Sequence, residues 1–219
     1  MMRVEVWSDV GCPWCYLGKR RLDKAIGQFE HGDDVEVVWR SFQLAPNYPR
    51  DAARPLYEAL MDQMGGTLDE VRSMVERVNV PAATEGLKYD FESAYMCNTF
   101  DAHRIAQFAG ERGLGGRAHE RLLHALLVDG EVLDDTETLV RLAVEIGLPE
   151  EETRQVLAGD DYGDAVRQDA REARQLGAGG APFFVFDRTL GVSGAESVDT
   201  FLGVLREAHE RSAPPQVTA

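Results

Sequence analysis

Cysteine is scarce in this chain, which contains three among its 219 residues. So few cysteines exclude the disulfide framework that holds small secreted domains together. Basic residues are also the minority, because 23 lysines and arginines stand against 38 aspartates and glutamates and leave a formal net charge of -15. A negative field repels nucleic acid phosphates and anionic lipid headgroups. We therefore expect no nucleic acid and no membrane among the partners.

Long apolar runs are missing as well. No stretch approaches the ~20 apolar residues that a membrane-spanning helix needs. The opening ten residues, MMRVEVWSDV, carry a charge at position 3 and lack the apolar centre of a signal peptide. These absences predict a cytoplasmic protein. Since that compartment keeps thiols reduced, the cysteines are expected to be reactive, metal-bound or simply buried, and not to form structural disulfides.

The length suits one domain, or one domain with a large insertion. A β-favourable run that contains Val4 and Val6 predicts the first strand. An apolar stripe with helical spacing then extends to Phe29, and the β-branched run Val35–Phe42 predicts the second strand. Since apolar residues nearly fill both of its faces, Val35–Phe42 is expected to be a central strand. The two strands flank a helix, so they should be parallel with a right-handed crossover.

The middle of the chain has a different character. From Leu56 to Leu176 most segments have helical periodicity and end at glycines, which predicts about six helices. The apolar run Phe183–Phe186 and the following Thr189–Ser193 then predict a β-hairpin, and Val198–Arg211 predicts a last helix. The element order is therefore β-α-β, a helical block and β-β-α, which is an α/β fold with a large helical insertion.

This order also predicts a division into domains. Residues 1–45 and 178–211 supply the two halves of one α/β domain, and residues 46–177 form an α-helical domain inserted between them. The final segment 212–219, SAPPQVTA, is short, polar and rich in proline, so it predicts a disordered tail.

The motif Cys12-Pro13-Trp14-Cys15 lies where the first strand passes into the first helix. Proline suits the first helical turn, where its missing N–H costs nothing. The N–H groups and the macrodipole at a helix N-terminus stabilise an anion, which favours a thiolate at Cys12. Cys15 follows three residues later on the same helix face. We therefore expect Cys12 to be exposed at the helix tip as the attacking thiol, with Cys15 screened beneath it as the resolving thiol.

The cysteine pair has two other interpretations. A zinc site commonly combines two such pairs, or one pair with a spaced histidine pair, whereas Cys97 and His103 each stand alone in the helical block. Two unreactive buried cysteines are the other alternative. A Cys-x-x-Cys motif near a β-α-β pattern in a cytosolic chain indicates a redox-active centre, and we therefore expect one at Cys12 and Cys15. Cys97 is expected to be a core residue of its helix.

The motif after a strand, together with Ala181-Pro182 before the FFVF strand, resembles the thioredoxin superfamily. The helical insertion between the halves resembles the disulfide-oxidoreductase branch typified by DsbA. The resemblance covers roughly residues 3–210. Three stretches are similar to the cytosolic FrnE-like group, which is related to the 2-hydroxychromene-2-carboxylate isomerases and the kappa-type glutathione transferases: WCYLGK at 14–19, EGL at 85–87 and NTFDAHR at 98–104.

The resemblance implies a thioredoxin fold with an inserted α-helical domain and the activity of a thiol–disulfide oxidoreductase. It implies that Cys12 is the nucleophile, that Cys15 is the resolving thiol and that Pro182 is a cis-proline facing the pair. The backbone of Ala181 is then expected to pair with an extended substrate. Isomerase relatives have serine at the position of Cys12, so the cysteine in this chain favours redox chemistry.

Three further residues are candidates for substrate binding. Trp14, between the cysteines, either tunes the thiolate or merely covers it. His103 and Asn98 line the cleft from the insertion if the resemblance holds, and otherwise belong to a helix surface or to the core. The other four histidines have no ligand spacing and are expected at the surface: His31, His119, His124 and His209.

We therefore expect an enzyme, a DsbA-like protein disulfide oxidoreductase that needs no metal or other cofactor and has glutathione as a candidate co-substrate. The expected partners are substrate proteins or small thiols and disulfides, and the resemblance allows a homodimer. Two alternatives stay open. One is a glutathione-dependent isomerase or transferase of the 2-hydroxychromene-2-carboxylate isomerase type, and the other is a non-catalytic binding module of the same fold.

Overall fold

The computed structural model describes residues 1–212. The strands, in chain order, are β1 (Met2–Ser8), β2 (Val35–Ser41), β3 (Arg54–Pro55), β4 (Tyr95–Met96), β5 (Phe183–Phe186) and β6 (Leu190–Ser193). The helices are α1 (Pro13–Gln28), α2 (Leu56–Met64), α3 (Leu68–Thr84), α4 (Phe100–Gly110), α5 (Gly115–Leu127), α6 (Thr136–Glu145), α7 (Glu150–Ala158), α8 (Gly163–Gln175) and α9 (Val198–Ser212). The order β1-α1-β2, a run of helices and β5-β6-α9 confirms the predicted α/β fold with a helical insertion.

Four of the strands form one mixed sheet in the order β2-β1-β5-β6. β1 pairs in parallel with β2, with Val4 opposite Val37, and α1 connects the two strands as predicted. β1 also pairs antiparallel with β5, where Val6 lies opposite Phe184, and β6 completes the hairpin. β1 and β5 are therefore the two inner strands.

The expectation that the second strand is central is wrong, because β2 lies at one edge of the sheet. Its side chains meet helices of the insertion instead of a further strand. Trp39 stacks on His119 of α5 with ring centroids 4.6 Å apart, and Arg40 reaches a carboxylate oxygen of Asp169 of α8 at 3.3 Å. An edge strand covered by helices therefore has the same two-faced apolar pattern as an inner strand.

One face of the sheet packs against α1 and α9. The buried side chains of this layer include Val4 and Val6 of β1, Leu22 of α1, Phe184 of β5 and Phe201 of α9. Removing each large apolar side chain from water contributes about 1.5–3 kcal/mol, so this layer is a principal source of stability. Because side chains alternate along a strand, the remaining side chains of β1 point to the opposite face of the sheet, towards the helical insertion.

Within residues 1–212, seven helices lie between β2 and β5, one more than the approximate number expected from the sequence. α3 continues through Pro81 and ends at Thr84. Thr67 and Glu70 form a capping box at its start, where each side chain bonds to the other's backbone N–H. The short β3–β4 pair is not predicted by the sequence, because two-residue strands have no periodicity to detect.

The end of the described chain differs slightly from the prediction. α9 ends at Ser212, so the first residue of the predicted tail is helical. The rest of that tail, 213–219, lies outside the described residues. The division into an α/β domain and an inserted domain at 46–177 stays a prediction, although α2 to α8 all fall inside that range. None of the helices in residues 1–212 is both long and apolar enough to cross a membrane.

α1 approaches the sheet very closely at Gly18. A Cβ atom at this position would stand 3.0 Å from Cζ of Phe184 and 3.2 Å from Cγ of Pro182. At Gly27, in the same helix, the corresponding point has no heavy atom within 4 Å. Glycine at position 18 therefore lets α1, which begins at the cysteine motif, lie directly on β5 and Pro182.

We predict that Gly18→Ala lowers the free energy of unfolding by about 1–3 kcal/mol, because the added methyl group forces apart a packed layer. Gly27→Ala should raise it by about 0.5–1 kcal/mol, since alanine removes the entropic cost of a helical glycine. Urea denaturation followed by circular dichroism measures both effects. Equal changes in the free energy of unfolding in the two variants would contradict the prediction. The layer around Gly18 would then accommodate the added methyl group without loss of stability.

Candidate active site

The cysteine motif forms the first turn of α1, directly after β1 and a short loop. Cys12 is the N-cap residue, with extended backbone angles of φ -99° and ψ 116°, and Pro13 is the first helical residue. The carbonyl of Cys12 accepts the N–H groups of Cys15 at 3.0 Å and of Tyr16 at 3.3 Å. Both sulfurs therefore belong to one turn, at the end of the helix where backbone N–H groups favour an anion.

Both cysteines of the motif are free thiols, and both are buried. Sγ of Cys15 accepts the N–H of Asp9 at 3.4 Å. Burial raises the pKa of the Cys15 thiol well above its ordinary value, and the neighbouring Cys12 raises it further. Cys15 is therefore held as a neutral thiol beneath the turn, as expected of a screened partner.

The expectation of an exposed Cys12 is wrong, because its side chain is only 5% exposed. The reason is the insertion. Cys12 belongs to an apolar cluster that includes Val75 of α3 and Leu123 of α5, and Ala181 packs against the same cluster. A helix tip that would be open to water in the α/β domain alone is thus covered from the helical side.

The peptide before β5 faces the motif from the other side. The Ala181–Pro182 bond is cis, and the carbonyl oxygen of Ala181 lies 3.9 Å from Sγ of Cys12, within the long reach of an S–H···O contact. The structure therefore places the Ala181 carbonyl beside Cys12, with the cis-proline Pro182 as the next residue in the chain. The pairing of Ala181 with an extended substrate stays a prediction.

An apolar cavity of about 260 Å³ opens at the motif, where the residues on either side of Cys12, Gly11 and Pro13, line it. Trp14 lines this cavity with a side chain that is 40% exposed, so it is accessible to a ligand. The sequence did not predict the cavity, because its walls come from separate helices. Most of the lining is apolar and belongs to the motif, α2, α3, α5 and the segment before α4: Pro13, Trp14, Leu56, Leu60, Met74, Val75, Val78, Phe91, Ala94, Tyr95, Met96, Leu126 and Leu127.

Asp9 is a functional candidate that sequence reasoning missed. Its buried carboxylate accepts the N–H of Gly11 at 3.1 Å and the N–H of Leu44 at 2.7 Å. Nε2 of His103 lies 3.4 Å from one of its oxygens. A charged residue inside the apolar run that precedes Cys12 was the available signal, because an ionised side chain is buried only when it is paired.

His103 does not line the cleft as a substrate-binding residue. Its side chain is fully buried, and it meets the motif only through Asp9. Asn98 also lies away from the cavity lining, because its amide donates to the carbonyl of Tyr48 and its oxygen accepts the N–H of Phe100 at 2.8 Å. These contacts brace the start of α4.

Cys97 is buried, and burial raises the pKa of its thiol to about 12. It is therefore an unreactive core thiol, as expected, but it lies between β4 and α4 and is not a helix residue as predicted. Among residues 1–212, no group of three or more histidine, cysteine, aspartate or glutamate side chains is placed to hold a metal ion.

The expectation that His119 lies at the surface is wrong. Its ring is buried against Trp39, and Nδ1 lies 3.2 Å from the carbonyl oxygen of Gly115. Burial, with a smaller contribution from the charge of His103, lowers the pKa of His119 to about 3. The prediction failed because the apolar face that covers His119 comes from a part of the chain that is distant in the sequence. The other three histidines are at least partly exposed: His31, His124 and His209.

A parallel β1-α1-β2 unit joined to an antiparallel hairpin and a last helix is the arrangement of a thioredoxin fold, and the helices between β2 and β5 are an insertion into it. Residues 3–206 match the family described as DSBA-like thioredoxin domain, and the chain therefore belongs to that family. Membership confirms the resemblance to the DsbA branch that the motif and the insertion indicated.

Three solved structures show how far the similarity extends. The probable DsbA oxidoreductase SCO1869 from Streptomyces coelicolor is 42% identical, with a TM-score of 0.93 over 100% of this chain and 94% of that chain. A 2-hydroxychromene-2-carboxylate isomerase has a TM-score of 0.67 at 15% identity, over 95% of each chain. The cytosolic disulfide reductase DsbM from Pseudomonas aeruginosa, solved with glutathione, has a TM-score of 0.62 at 18% identity, over 95% of this chain and 96% of that chain. The last two similarities establish the fold alone.

We predict that His119 makes the protein sensitive to acid. The pKa of a histidine in the unfolded chain is about 6.5. Because the folded pKa is lower, about 3, protons favour the unfolded chain, and stability is lost as the pH falls below the unfolded value. The loss attributable to His119 between about pH 7 and about pH 5 should be about 2 kcal/mol. Urea denaturation at each pH measures it.

The matched variants are His119→Gln and His124→Gln. The first should be less stable near neutral pH but should lose the acid-dependent part, because glutamine does not titrate. The second should keep the wild-type slope, since His124 is about half exposed and pairs with Asp129. An unchanged slope in His119→Gln would contradict the assignment.

Proposed function

We propose that the chain is a thiol–disulfide oxidoreductase whose reacting pair is Cys12 and Cys15. The observation that carries the proposal is that one helical turn holds two free thiols, beside the Ala181 carbonyl. The thiolate of Cys12 attacks a substrate disulfide, so a Cys12–substrate bond forms while the substrate S–S bond breaks and releases one thiolate. Cys15 then loses its proton and attacks Sγ of Cys12, which forms the Cys12–Cys15 disulfide and releases the second thiolate.

Two electrons pass from the pair to the substrate in these steps, and the reverse sequence oxidises a dithiol. The order of the two cysteines follows from their surroundings. Cys12 lies at the N-terminus of α1, where an anion is stabilised, whereas burial keeps Cys15 protonated until the mixed disulfide has formed. The chemistry uses no metal and no other cofactor.

The relatives support this proposal and extend it. The 42% identical SCO1869 bears the name of a probable DsbA oxidoreductase. DsbM is named as a cytosolic disulfide reductase and was solved with glutathione, which supports glutathione as a co-substrate and a cytoplasmic location for this chain. The proposed partners are accordingly substrate proteins or small thiols and disulfides. A homodimer stays a prediction, to be checked by light scattering.

We predict that Cys15→Ser accumulates mixed disulfides, because attack by Cys12 remains while resolution is lost. Cys12→Ser should accumulate few and lose most of the exchange activity. The measurement mixes each reduced variant with glutathione disulfide or a model disulfide peptide, quenches with acid and determines the adducts by mass spectrometry.

Cys97→Ser is the control, and it should exchange at the wild-type rate, since Cys97 is a buried thiol away from the motif. Equal trapping by the two motif variants would refute the order of attack. Turnover that requires glutathione but not Cys15 would favour the isomerase or transferase alternative. The absence of any thiol turnover would favour a binding module.

The apolar cavity beside Trp14 points to the substrate class. Substrates that carry an apolar side chain next to the reacting cysteine can place it in this cavity while the disulfide lies at Cys12. Glutathione lacks such a side chain, so the cavity contributes nothing to its exchange. The proposal is therefore that the enzyme prefers peptide or small-molecule disulfides with an apolar neighbour.

We predict that Met74→Gln slows exchange with a leucine-flanked disulfide peptide by about tenfold, the scale on which an apolar pocket discriminates. Exchange with glutathione disulfide should change little. Val80→Gln is the matched control, because Val80 lies on the same helix and is 73% exposed, away from the cavity. Stopped-flow measurement of kcat/KM for both substrates tests the prediction, which fails if Met74→Gln slows both equally.

A further inference from the structure

A buried pair of side chains lies directly behind the cysteine motif and is not used by the steps described above. It consists of Asp9, in the loop between β1 and α1, and His103 on α4 of the insertion. Nε2 of His103 is 3.4 Å from Oδ1 of Asp9, and the histidine side chain is fully buried. The pair is therefore a direct polar contact between the insertion and the loop that carries the motif.

The carboxylate of Asp9 holds two backbone segments together. It accepts the N–H of Gly11, which immediately precedes Cys12, and the N–H of Leu44, which lies beyond β2. Hydrogen bonds to an ionised acceptor are stronger than those between neutral groups. An ionised Asp9 therefore fixes the loop in front of the motif more firmly than a protonated one.

The backbone of Asp9 contacts the frame of both cysteines. Its N–H donates to Sγ of Cys15 at 3.4 Å, and its carbonyl accepts the N–H of Cys12 at 3.1 Å. A shift of Asp9 changes both contacts. It therefore alters the position of Sγ of Cys15 relative to Cys12. The resolving step depends on that position, because Cys15 must reach Sγ of Cys12 in line.

His103 stabilises the ionised form of the buried Asp9 carboxylate. Burial alone would raise the pKa of Asp9, but the hydrogen bond and charge of His103, together with the N–H groups of Leu44 and Gly11, outweigh it and lower the pKa. Thr99, in the turn before α4, packs against the same loop, since its Cγ2 is 3.3 Å from the point where a Cβ on Gly11 would stand. The start of α4 thus contacts the motif loop by both charge and packing.

We infer that Asp9 and His103 form a positioning pair through which the helical insertion fixes the two sulfurs for exchange. The inference rests on the proposed function, since it assigns a role in the resolving step. The pair acts through the loop and does not touch the substrate. The insertion then contributes to the chemistry itself as well as to the apolar cavity.

Two other titratable groups near the pair, His119 and Cys97, keep their charge between about pH 5 and about pH 8. His119 is neutral there because its pKa is about 3, and Cys97 stays protonated because its pKa is about 12. Lys19 of α1 is paired with Asp23 at 2.7 Å and with Glu120 at 3.1 Å. The pH dependence that every variant shares with the wild-type chain is removed when each rate is divided by the wild-type value.

The test uses four variants of the full chain: Asp9→Asn, His103→Gln, their double variant and His119→Gln as control. Each reduced protein is mixed with glutathione disulfide, quenched with acid and analysed by mass spectrometry, so that mixed and internal disulfides are counted separately. The first-order rate constant for conversion of the mixed disulfide into the internal disulfide is measured from about pH 5 to about pH 8. It is divided by the wild-type value at the same pH.

We expect each single variant to slow resolution by about fivefold or more, the scale of coupling between residues in contact. The double variant should be no slower than the slower single variant, because His103 acts through Asp9. In His103→Gln the rate should also fall further with decreasing pH, since the buried Asp9 carboxyl takes up a proton more readily once the histidine is removed. This additional fall should be absent in the double variant, and His119→Gln should resolve at nearly the wild-type rate.

Effects that multiply in the double variant, or an acid-dependent fall that survives the loss of Asp9, would overturn the inference while leaving the proposed function intact. Variants that melt earlier but resolve at the wild-type rate would overturn it too, because the pair would then be structural only. A wild-type chain that never closes the Cys12–Cys15 disulfide would refute the proposed function and, with it, this role.

A measurement on the wild-type protein covers the case in which a variant does not fold. The ¹⁵N resonances of the His103 ring are recorded with the cysteine pair reduced and after oxidation by oxidised dithiothreitol. The positioning role predicts that closing the disulfide shifts the Nε2 resonance of His103 and leaves those of His124 unchanged. An unshifted His103 resonance would count against the inference.

Discussion

The carbonyl of Cys12 accepts two backbone N–H groups, those of Cys15 and Tyr16, and this single helical turn brings the two sulfurs together. The turn begins after the short loop that follows β1, with Pro13 at the first helical position, and Gly18 lets the helix lie directly on β5. The backbone dipoles at a helix N-terminus favour the anionic form of a thiol held there. The cysteine chemistry and the packing of α1 therefore depend on the same local geometry.

The insertion changes what this turn experiences. In an isolated α/β domain the tip of α1 would face water, whereas here α3 and α5 pack over it and leave Cys12 only slightly exposed. A less polar surrounding strengthens every electrostatic interaction at the sulfurs and makes each unpaired polar group costly. The chain meets that cost by pairing the carboxylate of Asp9 with His103 and with two backbone N–H groups.

Much of the fold was predictable because its signals are local. The cysteine motif at a strand–helix junction, the Ala181-Pro182 step and the apolar runs of β1 and β5 each lie within a few residues, and the resemblance to the DsbA branch rests on them. The failures are non-local. The edge position of β2, the burial of His119 and the covering of Cys12 all depend on helices that pack from elsewhere in the chain. Periodicity reports how apolar a face is, and not which element covers it.

The burial of Cys12 also restricts what can react with it. Sγ of Cys12 is bordered by the Ala181 carbonyl on one side and by the apolar cluster of the insertion on the other, while Trp14 remains partly open to solvent. Under the proposed function, a substrate disulfide that reacts at Cys12 has to pass Trp14, the partly exposed residue of the motif, and the cavity that Trp14 lines can take an apolar neighbour. On the same proposal, a disulfide in an extended or flexible segment reaches the buried sulfur more easily than one held within a rigid core. The covering of Cys12 by the insertion would then contribute to the choice of substrate as well as to the exclusion of water.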